Sequence, residues 1–465
     1  MKGPHSKCGR SRKRRRGSNP RISARSFGKS WNGVCVYECI LRRAREIWLS
    51  FSALFSWLVA GIFFQFQVVS LGKIGYTIKG LLYRHNGNPQ NEIKHHYGTK
   101  RGCGTEEKMK RIGMLTSGGD CQALNAAMRG VVKTLVNSRQ KVEIYGFLDG
   151  YRGLIYGNYR TLAGSEFSGI LTKGGTILGS SRTPFKTIQE PDENGLDKVA
   201  AMIKNYQKLK LDCLVILGGN GTHKTANLLR EKGLNVVTLP KTIDNDLWGT
   251  DMTFGFQSAV NVATSAIDCI HTTAASHGRV FIVEVMGHKV GFLTLNAGMA
   301  GGADIILIPE IPYDINKVIK KIEDREKNGS RFTIIAVAEG AISKEDAKLS
   351  KKEYKKKLLN NPYPSVSYEI AAQIQEKTGR EIRVTVPGHT QRGGSPCPYD
   401  RVFASRLGAE AGEMILNGEY GFMVGYKNRE IVKVPLEEVA GKLKMVDPNS
   451  TIVKEAKLMG ISFGD

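Results

Sequence analysis

A chain of 465 residues exceeds the usual size of a single domain, so we expect two domains or one domain with appendages. The formal net charge of +25 lies mostly in the first 108 residues, which argues against nucleic-acid binding by the main body. The cysteines at positions 121, 213, 269 and 397 have no paired spacing, so we expect reduced intracellular thiols and neither a zinc site nor a disulfide framework.

Residues 1–108 differ in composition from the rest of the chain. Residues 10–16 form a nearly continuous basic run, and residues 47–72 form an uncharged, largely apolar stretch. This stretch is long enough to span a bilayer, which needs about 20 apolar residues, but the basic charge ahead of it would send the following body outward. Because Met109 directly precedes the first clear strand, we favour an upstream extension wrongly joined to the gene. A membrane anchor and an unusual tail are the alternatives.

From residue 112 the apolar pattern alternates between strands and helices, which is typical of an α/β fold with parallel sheets. A lysine-rich segment at residues 343–361 is predicted to form a solvated helix and turn, and residues 436–443 a short helix. The clearest strands are predicted at residues 112–115, 211–217 and 235–239, and the clearest helices at residues 123–136, 226–232 and 367–377.

Three glycine-rich loops punctuate this pattern, and two of them connect a strand to a helix. They cover residues 116–120, residues 174–182 and residues 218–222. Glycine lets backbone N–H groups approach a phosphate, and a helix N-terminus favours the negative charge. A single Gly-Gly turn is as often a plain tight loop, but three such loops together predict a site for a polyphosphate chain.

Two carboxylates follow the strand at residues 235–239. Asp244 and Asp246 are two residues apart, so in an extended segment both side chains point the same way. This spacing suits one carboxylate as a proton acceptor and the other as a metal ligand. Alone, an Asp-Asn-Asp sequence is more typical of a solvated turn, so the prediction depends on the phosphate loops around it.

Eight ordered stretches between residue 109 and about residue 430 resemble the 6-phosphofructokinases. They are residues 116–125, 174–182, 218–222, 240–246, 276–279, 285–287, 300–302 and 388–392. The resemblance implies Mg²⁺-assisted transfer of a phosphoryl group from ATP, or in one branch from pyrophosphate, to the 1-hydroxyl of fructose 6-phosphate. It also implies a cytoplasmic homo-oligomer, a dimer or tetramer, with sites shared between subunits and no nucleic-acid or membrane partner.

The family fold consists of two similar three-layer α/β/α domains with mainly parallel sheets and an active site in the cleft between them. By resemblance, residues 109–255 with 388–434 form the donor-binding domain, and residues 256–387 with 435–465 form the sugar-phosphate-binding domain.

The resemblance also assigns roles to residues. Asp244 matches the catalytic base, Thr242 orients the transferred phosphate, and Arg182 bridges the donor charge. The predicted donor-binding residues are Gly118, Arg182, Thr183, Gly219, Asn220, Gly221, Thr222 and Lys241. The predicted sugar-phosphate-binding residues are Thr242, Ile243, Asp244, Arg279, Met286, Gly287, His288, Glu339, Arg383, His389, Thr390, Gln391 and Arg392. Arg279 and Arg383 are expected to reach in from a neighbouring subunit, and Asn220 and Asp246 are the predicted metal residues.

The sequence departs from the family pattern at three places. Cys121-Gln122-Ala123 stands where the family usually has a Pro and a Gly, so the geometry of the donor loop is expected to shift. Asn220 replaces an Asp associated with magnesium, which leaves Asp246 a larger share of that task. His288 replaces a frequent Arg and weakens the fixed positive charge.

Two positions predict the phosphoryl donor, and they point in opposite directions. Gly221 leaves space for a nucleotide, whereas the pyrophosphate branch has an Asp there. Lys241 is typical of the pyrophosphate branch, yet a lysine tolerates either donor. We therefore predict ATP, with pyrophosphate as the alternative. A non-catalytic nucleotide-sensing subunit on the same fold is the remoter alternative.

Overall fold

A computed structural model describes residues 109–138 and 140–465. The extension at residues 1–108, with its predicted anchor stretch, lies outside the described residues. In chain order, the strands of the described part are β1 (Lys110–Thr116), β2 (Val142–Phe147), β3 (Tyr159–Leu162), β4 (Cys213–Gly218), β5 (Val236–Thr242), β6 (Phe254–Gly255), β7 (Val280–Val285), β8 (Ile305–Leu307), β9 (Thr333–Ala338), β10 (Ile382–Thr385), β11 (Phe422–Lys427) and β12 (Glu430–Pro435).

The helices of the described part connect and cover these strands. They are α1 (Leu124–Asn137), α2 (Tyr151–Tyr156), α3 (Phe185–Ile188), α4 (Lys198–Lys208), α5 (Asn220–Glu231), α6 (Phe256–His277), α7 (Phe292–Ala300), α8 (Ile315–Lys327), α9 (Lys351–Leu359), α10 (Val366–Thr378), α11 (Pro398–Asn417), α12 (Leu436–Val439) and α13 (Thr451–Leu458). Short 3₁₀ helices cover Gly164–Phe167, Asp346–Lys348 and Gly388–Arg392.

The strands form two sheets. The first has the order β12-β11-β5-β4-β1-β2-β3, with β6 beside β5, and the second has the order β10-β7-β9-β8. Neighbouring strands are parallel except that β3 runs antiparallel to β2 and β12 runs antiparallel to β11. The predicted α/β class with two mainly parallel sheets is therefore confirmed.

Alternating side chains of each strand enter different cores, as expected for sheets covered on both faces. In β4, Val215 packs with the residues of α1 and α11, whereas Leu214 and Ile216 pack with those of α2, α4 and α5. In β7, Ile282 packs with α8 and α10 on one face, and Val283 joins the cluster of α6 and α7 on the other. Each sheet thus lies between two layers of helices.

Two predicted boundaries differ from the structure. Helix α5 begins at Asn220 and not at residue 226, because the third glycine loop itself forms the first helical turn after Gly219. The predicted helix at residues 436–443 ends at Val439, and both Leu436 and Val439 pack in the core of the first sheet. Further on, Ser462 bridges to β8 in the second sheet, so the C-terminal segment contacts both sheets.

None of the described helices is long and apolar enough to cross a membrane.

Candidate active site

The predicted site residues gather at the carboxyl ends of strands. Strand β1 leads into Gly118, β4 into Gly219 and β5 into Asp244, while β7 and β9 of the second sheet lead into Met286 and Glu339. In open α/β sheets, ligands bind in the crevice outside these strand ends. The order of the strands in the first sheet therefore brings together motifs that are more than 100 residues apart in the chain.

A cavity of about 530 Å³ lies at the first and second glycine loops. Gly118 has a φ of +85°, a conformation that glycine adopts at no steric cost. Its N–H donates to the carbonyl of Ser181 at 3.0 Å, and its carbonyl accepts from the Ser180 hydroxyl at 2.6 Å, so the two loops hold each other. The residues lining the cavity are Gly118, Gly119, Asp120, Thr176, Gly179, Ser180, Ser181, Arg182, His389 and Arg392.

Lys241 lies beneath the first glycine loop. Its side chain is almost completely buried in β5, and its Nζ donates to the carbonyl of Gly119. A Cβ atom built on Gly118 would lie 3.5 Å from this Nζ, so any phosphate held by the loop approaches the lysine closely. Burial lowers the pKa of Lys241 to about 8.

Two arginines give the cavity its positive charge. The Arg182 side chain is exposed, with no hydrogen bond or ion pair to any residue that the structure describes. Arg392 is tied down, because its Nη1 donates to the carbonyl of Asp120 at 2.9 Å. One arginine is thus free to meet a ligand, and the other is fixed against the donor loop.

Asp244 combines a buried oxygen with positive neighbours. Its Oδ1 is buried and has no hydrogen-bond partner among the described residues. Burial, with a smaller effect from the nearby Asp246 carboxylate, raises the pKa of Asp244 to about 6, although Arg392 and Lys241 oppose the shift. Thr242 accepts the Asp244 N–H at 3.0 Å, so its hydroxyl hydrogen remains available to a ligand.

The residues around Asp246 fit a hydrated magnesium ion. Asp246 Oδ1 is buried and lacks a partner in the described chain, and burial is the main cause that raises the pKa of this carboxyl. Asn220 donates its side-chain N–H to the carbonyl of Lys442, which leaves its amide oxygen as an acceptor. Mg²⁺ prefers oxygen ligands and usually keeps several waters. The described residues contain no cluster of three or more His, Cys, Asp or Glu that could hold a metal by themselves.

On the second sheet, Glu339 shapes the turn after β7. Its Oε1 accepts the N–H groups of Gly287 at 3.3 Å and His288 at 2.7 Å. Gln391 Oε1 accepts the Met286 N–H at 3.2 Å, which joins this turn to the 3₁₀ helix that carries His389 and Arg392. The predicted sugar-phosphate residues of these two loops therefore meet in one place.

Comparison with known proteins identifies the family. A family model described as phosphofructokinase matches residues 111–415. The chain belongs to the phosphofructokinase family. A relative named ATP-dependent 6-phosphofructokinase, from Spirochaeta thermophila, is 55% identical over 77% of this chain and 98% of its own length.

Two further comparisons agree with this assignment. ATP-dependent 6-phosphofructokinase 3 of Bacteroides thetaiotaomicron is 47% identical over 76% of this chain and all of its own length. The crystal structure of Pichia pastoris phosphofructokinase in the T-state matches with a TM-score of 0.60 at 32% identity, covering 72% of this chain and 35% of the yeast chain. This chain thus spans about a third of that yeast chain.

Arg279 and Arg383 do not join the other predicted residues. Arg279 directly precedes β7, and Arg383 pairs with Phe281 near the start of the same strand. Both form ion pairs with Glu381. A six-residue strand is roughly 20 Å long, so these arginines lie at the opposite edge of the sheet from Met286. Within one subunit they are remote from Asp244.

The remaining predicted residues divide by exposure. Ile243 is fully buried in the core, so only its backbone is available to a ligand. Gly221 is exposed, and a Cβ atom there would meet nothing within 4 Å. Thr183 is partly exposed, Thr390 is exposed, and the buried Thr222 places its Oγ1 3.9 Å from the position of a Gly118 Cβ.

The structure adds residues that sequence reasoning missed. A second cavity of about 400 Å³ lies along α5, where Lys224 and Leu228 line it together with Phe185 and Gly441. Gln122, at the departure from the family pattern, donates its Nε2 to the carbonyls of Gln391 and Gly393, both at 3.0 Å. Lys224, Asn227, Leu228 and Glu231 line the cavity, and their i, i+3, i+4, i+7 spacing on α5 is a signal for one shared helix face. No local pattern reveals the contacts of Gln122.

Proposed function

We propose that this chain transfers the γ-phosphoryl group of ATP to the 1-hydroxyl of fructose 6-phosphate, giving fructose 1,6-bisphosphate and ADP. The domain of the first sheet binds the donor, and that of the second sheet binds the sugar phosphate. The reaction is a step of glycolysis, and we expect the enzyme to act as a homo-oligomer in the cytoplasm, where ATP and sugar phosphates occur.

The observation that carries this proposal is the position of Asp244. Its carboxyl has a pKa of about 6 and a buried oxygen with no hydrogen-bond partner among the described residues, which suits a base that accepts the proton of a sugar hydroxyl near neutral pH. Arg392 lies between the donor cavity and this carboxyl, since it lines the cavity and lowers the pKa of Asp244. The base and the donor site therefore share one positive group.

Phosphoryl transfer requires positioning and charge stabilisation more than covalent chemistry. The N–H groups of the glycine loops bind the donor phosphates, Arg182 closes over them, and Lys241 approaches them from below. Thr242 orients the transferred group towards the hydroxyl held by Asp244. When bound, Mg²⁺ neutralises the phosphate oxygens, and Asp246 with Asn220 would hold its water shell.

The space around Gly221 favours ATP over pyrophosphate. Apart from the neighbouring helix backbone, no atom of the described residues lies within 4 Å of a Cβ at this position, and Lys224 and Leu228, further along α5, line the 400 Å³ cavity. The ribose and base of ATP would lie along Lys224 and Phe185. Pyrophosphate has neither group and would leave this space empty. Lys241 does not oppose this assignment, because its Nζ donates to the Gly119 carbonyl at the first glycine loop, whereas Gly221 belongs to the third.

A comparison of kcat/KM for the two donors tests the proposal. We expect ATP to be preferred, and Gly221→Asp to shift the ratio towards pyrophosphate by adding bulk and negative charge. Gly221→Ala is the matched control, because it adds a Cβ without charge and should keep the ATP preference. A preference of the unmodified chain for pyrophosphate above about tenfold, equivalent to 1.4 kcal/mol, contradicts the assignment.

A non-catalytic nucleotide-sensing subunit is the alternative from another class. It predicts tight nucleotide binding without release of fructose 1,6-bisphosphate from either donor. The joint presence of Asp244, Thr242 and Arg182 argues for the enzyme, since a subunit relieved of catalysis does not need all three.

A further inference from the structure

Residues 442–446 connect α12 to α13 and cross the candidate site. We call this five-residue segment the strap. The Lys442 carbonyl accepts from Asn220, and Leu443 forms an isolated antiparallel bridge with Leu247. The backbone N–H of Lys444 donates to the carbonyl of Asp246 at 2.9 Å. The strap therefore contacts both the donor loop and the turn that carries the two catalytic-loop carboxylates.

The far end of the strap reaches the second sheet. The Val446 N–H donates to Glu310 Oε1 at 2.9 Å, and the same oxygen accepts from Gly291 at 3.0 Å. The Lys444 ammonium lies 5.1 Å from the centre of the Phe292 ring, at the start of α7. A single segment thus joins the donor loop, the catalytic turn and the helix layer of the second sheet.

Lys444 has the most contacts of the strap residues. Its Nζ donates to Asn245 Oδ1 at 3.1 Å, to the Thr250 carbonyl at 2.8 Å and to the Asp251 carbonyl at 3.0 Å. An ammonium group has three N–H donors, so all three are satisfied by oxygen atoms of one loop. Three oxygens at these distances form a cage that suits a small monovalent cation.

The cage holds a backbone conformation that needs support. Asn245 lies between Asp244 and Asp246 and has a φ of +55°, which is uncommon for residues other than glycine. Its side chain is fixed from both ends: Oδ1 accepts from Thr253 at 3.0 Å as well as from Lys444, and Nδ2 donates to Asp251 at 3.2 Å. The angle between the two carboxylates is therefore set by contacts that include the ammonium group.

We propose that Lys444 is a positioning residue of the phosphoryl transfer reaction. Its ammonium group acts as a built-in monovalent cation that fixes the turn at Asn245 and so aims Asp244 and Asp246. The inference rests on the proposed function. It assigns to Lys444 an effect on turnover and little effect on the binding of either substrate.

Lys444→Met keeps most of the apolar stem and removes the charge. We expect kcat to fall about tenfold or more, because small misplacements of catalytic groups cost up to about 100-fold, while KM for ATP and for fructose 6-phosphate stays within threefold. Lys457→Met is the matched control: this ammonium also lies over an aromatic ring, that of Phe463, but it forms its ion pair with Asp465 near the end of the chain. The kcat of Lys457→Met should stay within twofold of that of the unmodified enzyme.

Rescue by a small cation separates positioning from simple stabilisation. In Lys444→Ala, ammonium chloride should restore part of kcat by filling the oxygen cage, whereas the bulkier tetramethylammonium chloride at equal ionic strength should not. Near-UV circular dichroism establishes that the assayed variants are folded. An unchanged kcat in folded Lys444→Met, or a low kcat in folded Lys444→Ala that ammonium does not raise, overturns the proposal. Lack of turnover by the unmodified enzyme would instead contradict the proposed function.

Discussion

Among single residues, Asp244 gives the most direct test of the chemistry. Replacing it by Asn keeps the shape and removes the base, so kcat should fall by about 10² to 10⁴ while both KM values change only severalfold. Asp197→Asn is a suitable control, because Asp197 caps α4 through the N–H groups of Val199 and Ala200 and Asn caps equally well. Turnover of Asp244→Asn within twofold of the unmodified enzyme would exclude Asp244 as the base.

The charges around Asp244 also predict a pH profile. As the proposed base, Asp244 works only when deprotonated, and its pKa is raised to about 6, so kcat/KM should rise with pH until about pH 6. Lys241 binds phosphate only when protonated, and its pKa is lowered to about 8, so kcat/KM should fall above about pH 8. The two limbs together give a bell-shaped curve.

Lys241→Met separates the two limbs of this profile. The part of the basic limb that Lys241 causes should disappear, whereas the part due to Lys444, whose pKa burial also lowers to about 8, should remain. The acidic limb should move to higher pH because Lys241 lowers the pKa of Asp244. An acidic limb near pH 4, the ordinary range of an aspartate, would contradict the raised pKa of Asp244.

At the scale of elements, Gln122 connects the first turn of the donor domain to the 3₁₀ helix Gly388–Arg392. Gln122→Met keeps the length of the side chain and leaves the carbonyls of Gln391 and Gly393 without their donor. Each buried unsatisfied group costs about 1–3 kcal/mol, so the helix that carries His389 and Arg392 should loosen. We expect KM for fructose 6-phosphate to rise more than KM for ATP.

A matched control for this tether is Gln373→Met. Gln373 lies on α10 and donates to Glu369 within the same helix, away from the carboxyl ends of the strands. Equal rises of both KM values in Gln122→Met would mean that the residue only stabilises the fold, whereas the control should leave both unchanged.

Gln122 and Lys444 also show where sequence reasoning ends. The glycine loops and Asp244 were predictable because each lies directly after a strand, so the local pattern places it at the sheet edge. Gln122 and Gln391 are 269 residues apart, and Lys444 and Asn245 are 199 apart. Such pairs depend on how complete elements pack, which neither periodicity nor turn chemistry determines. The early start of α5 at Asn220 has the same cause. A glycine-rich segment has the sequence pattern of a loop, and only its place directly after β4 makes it the first turn of a helix.

At the scale of the whole molecule, the predicted basic site residues divide into two groups at separate places. His389 and Arg392 line the cavity at the glycine loops, and Arg392 also lowers the pKa of Asp244, but Arg279 and Arg383 lie at the amino-terminal edge of the second sheet. A dianionic sugar phosphate requires several fixed cations. If these arginines serve the site, they belong to the site of another subunit, because one chain cannot bring both edges of its sheet together.

Mixing two inactive variants tests this arrangement. Asp244→Asn lacks the base, and Arg383→Ala should bind fructose 6-phosphate poorly; each should have little activity alone at low substrate concentration. When the two chains are unfolded together and refolded, or coexpressed, a mixed dimer contains one site with both residues intact. Random pairing of equal amounts makes half of the dimers mixed, so about a quarter of all sites should be competent. Recovery of that fraction supports shared sites, whereas activity no higher than the sum of the separate variants would contradict them.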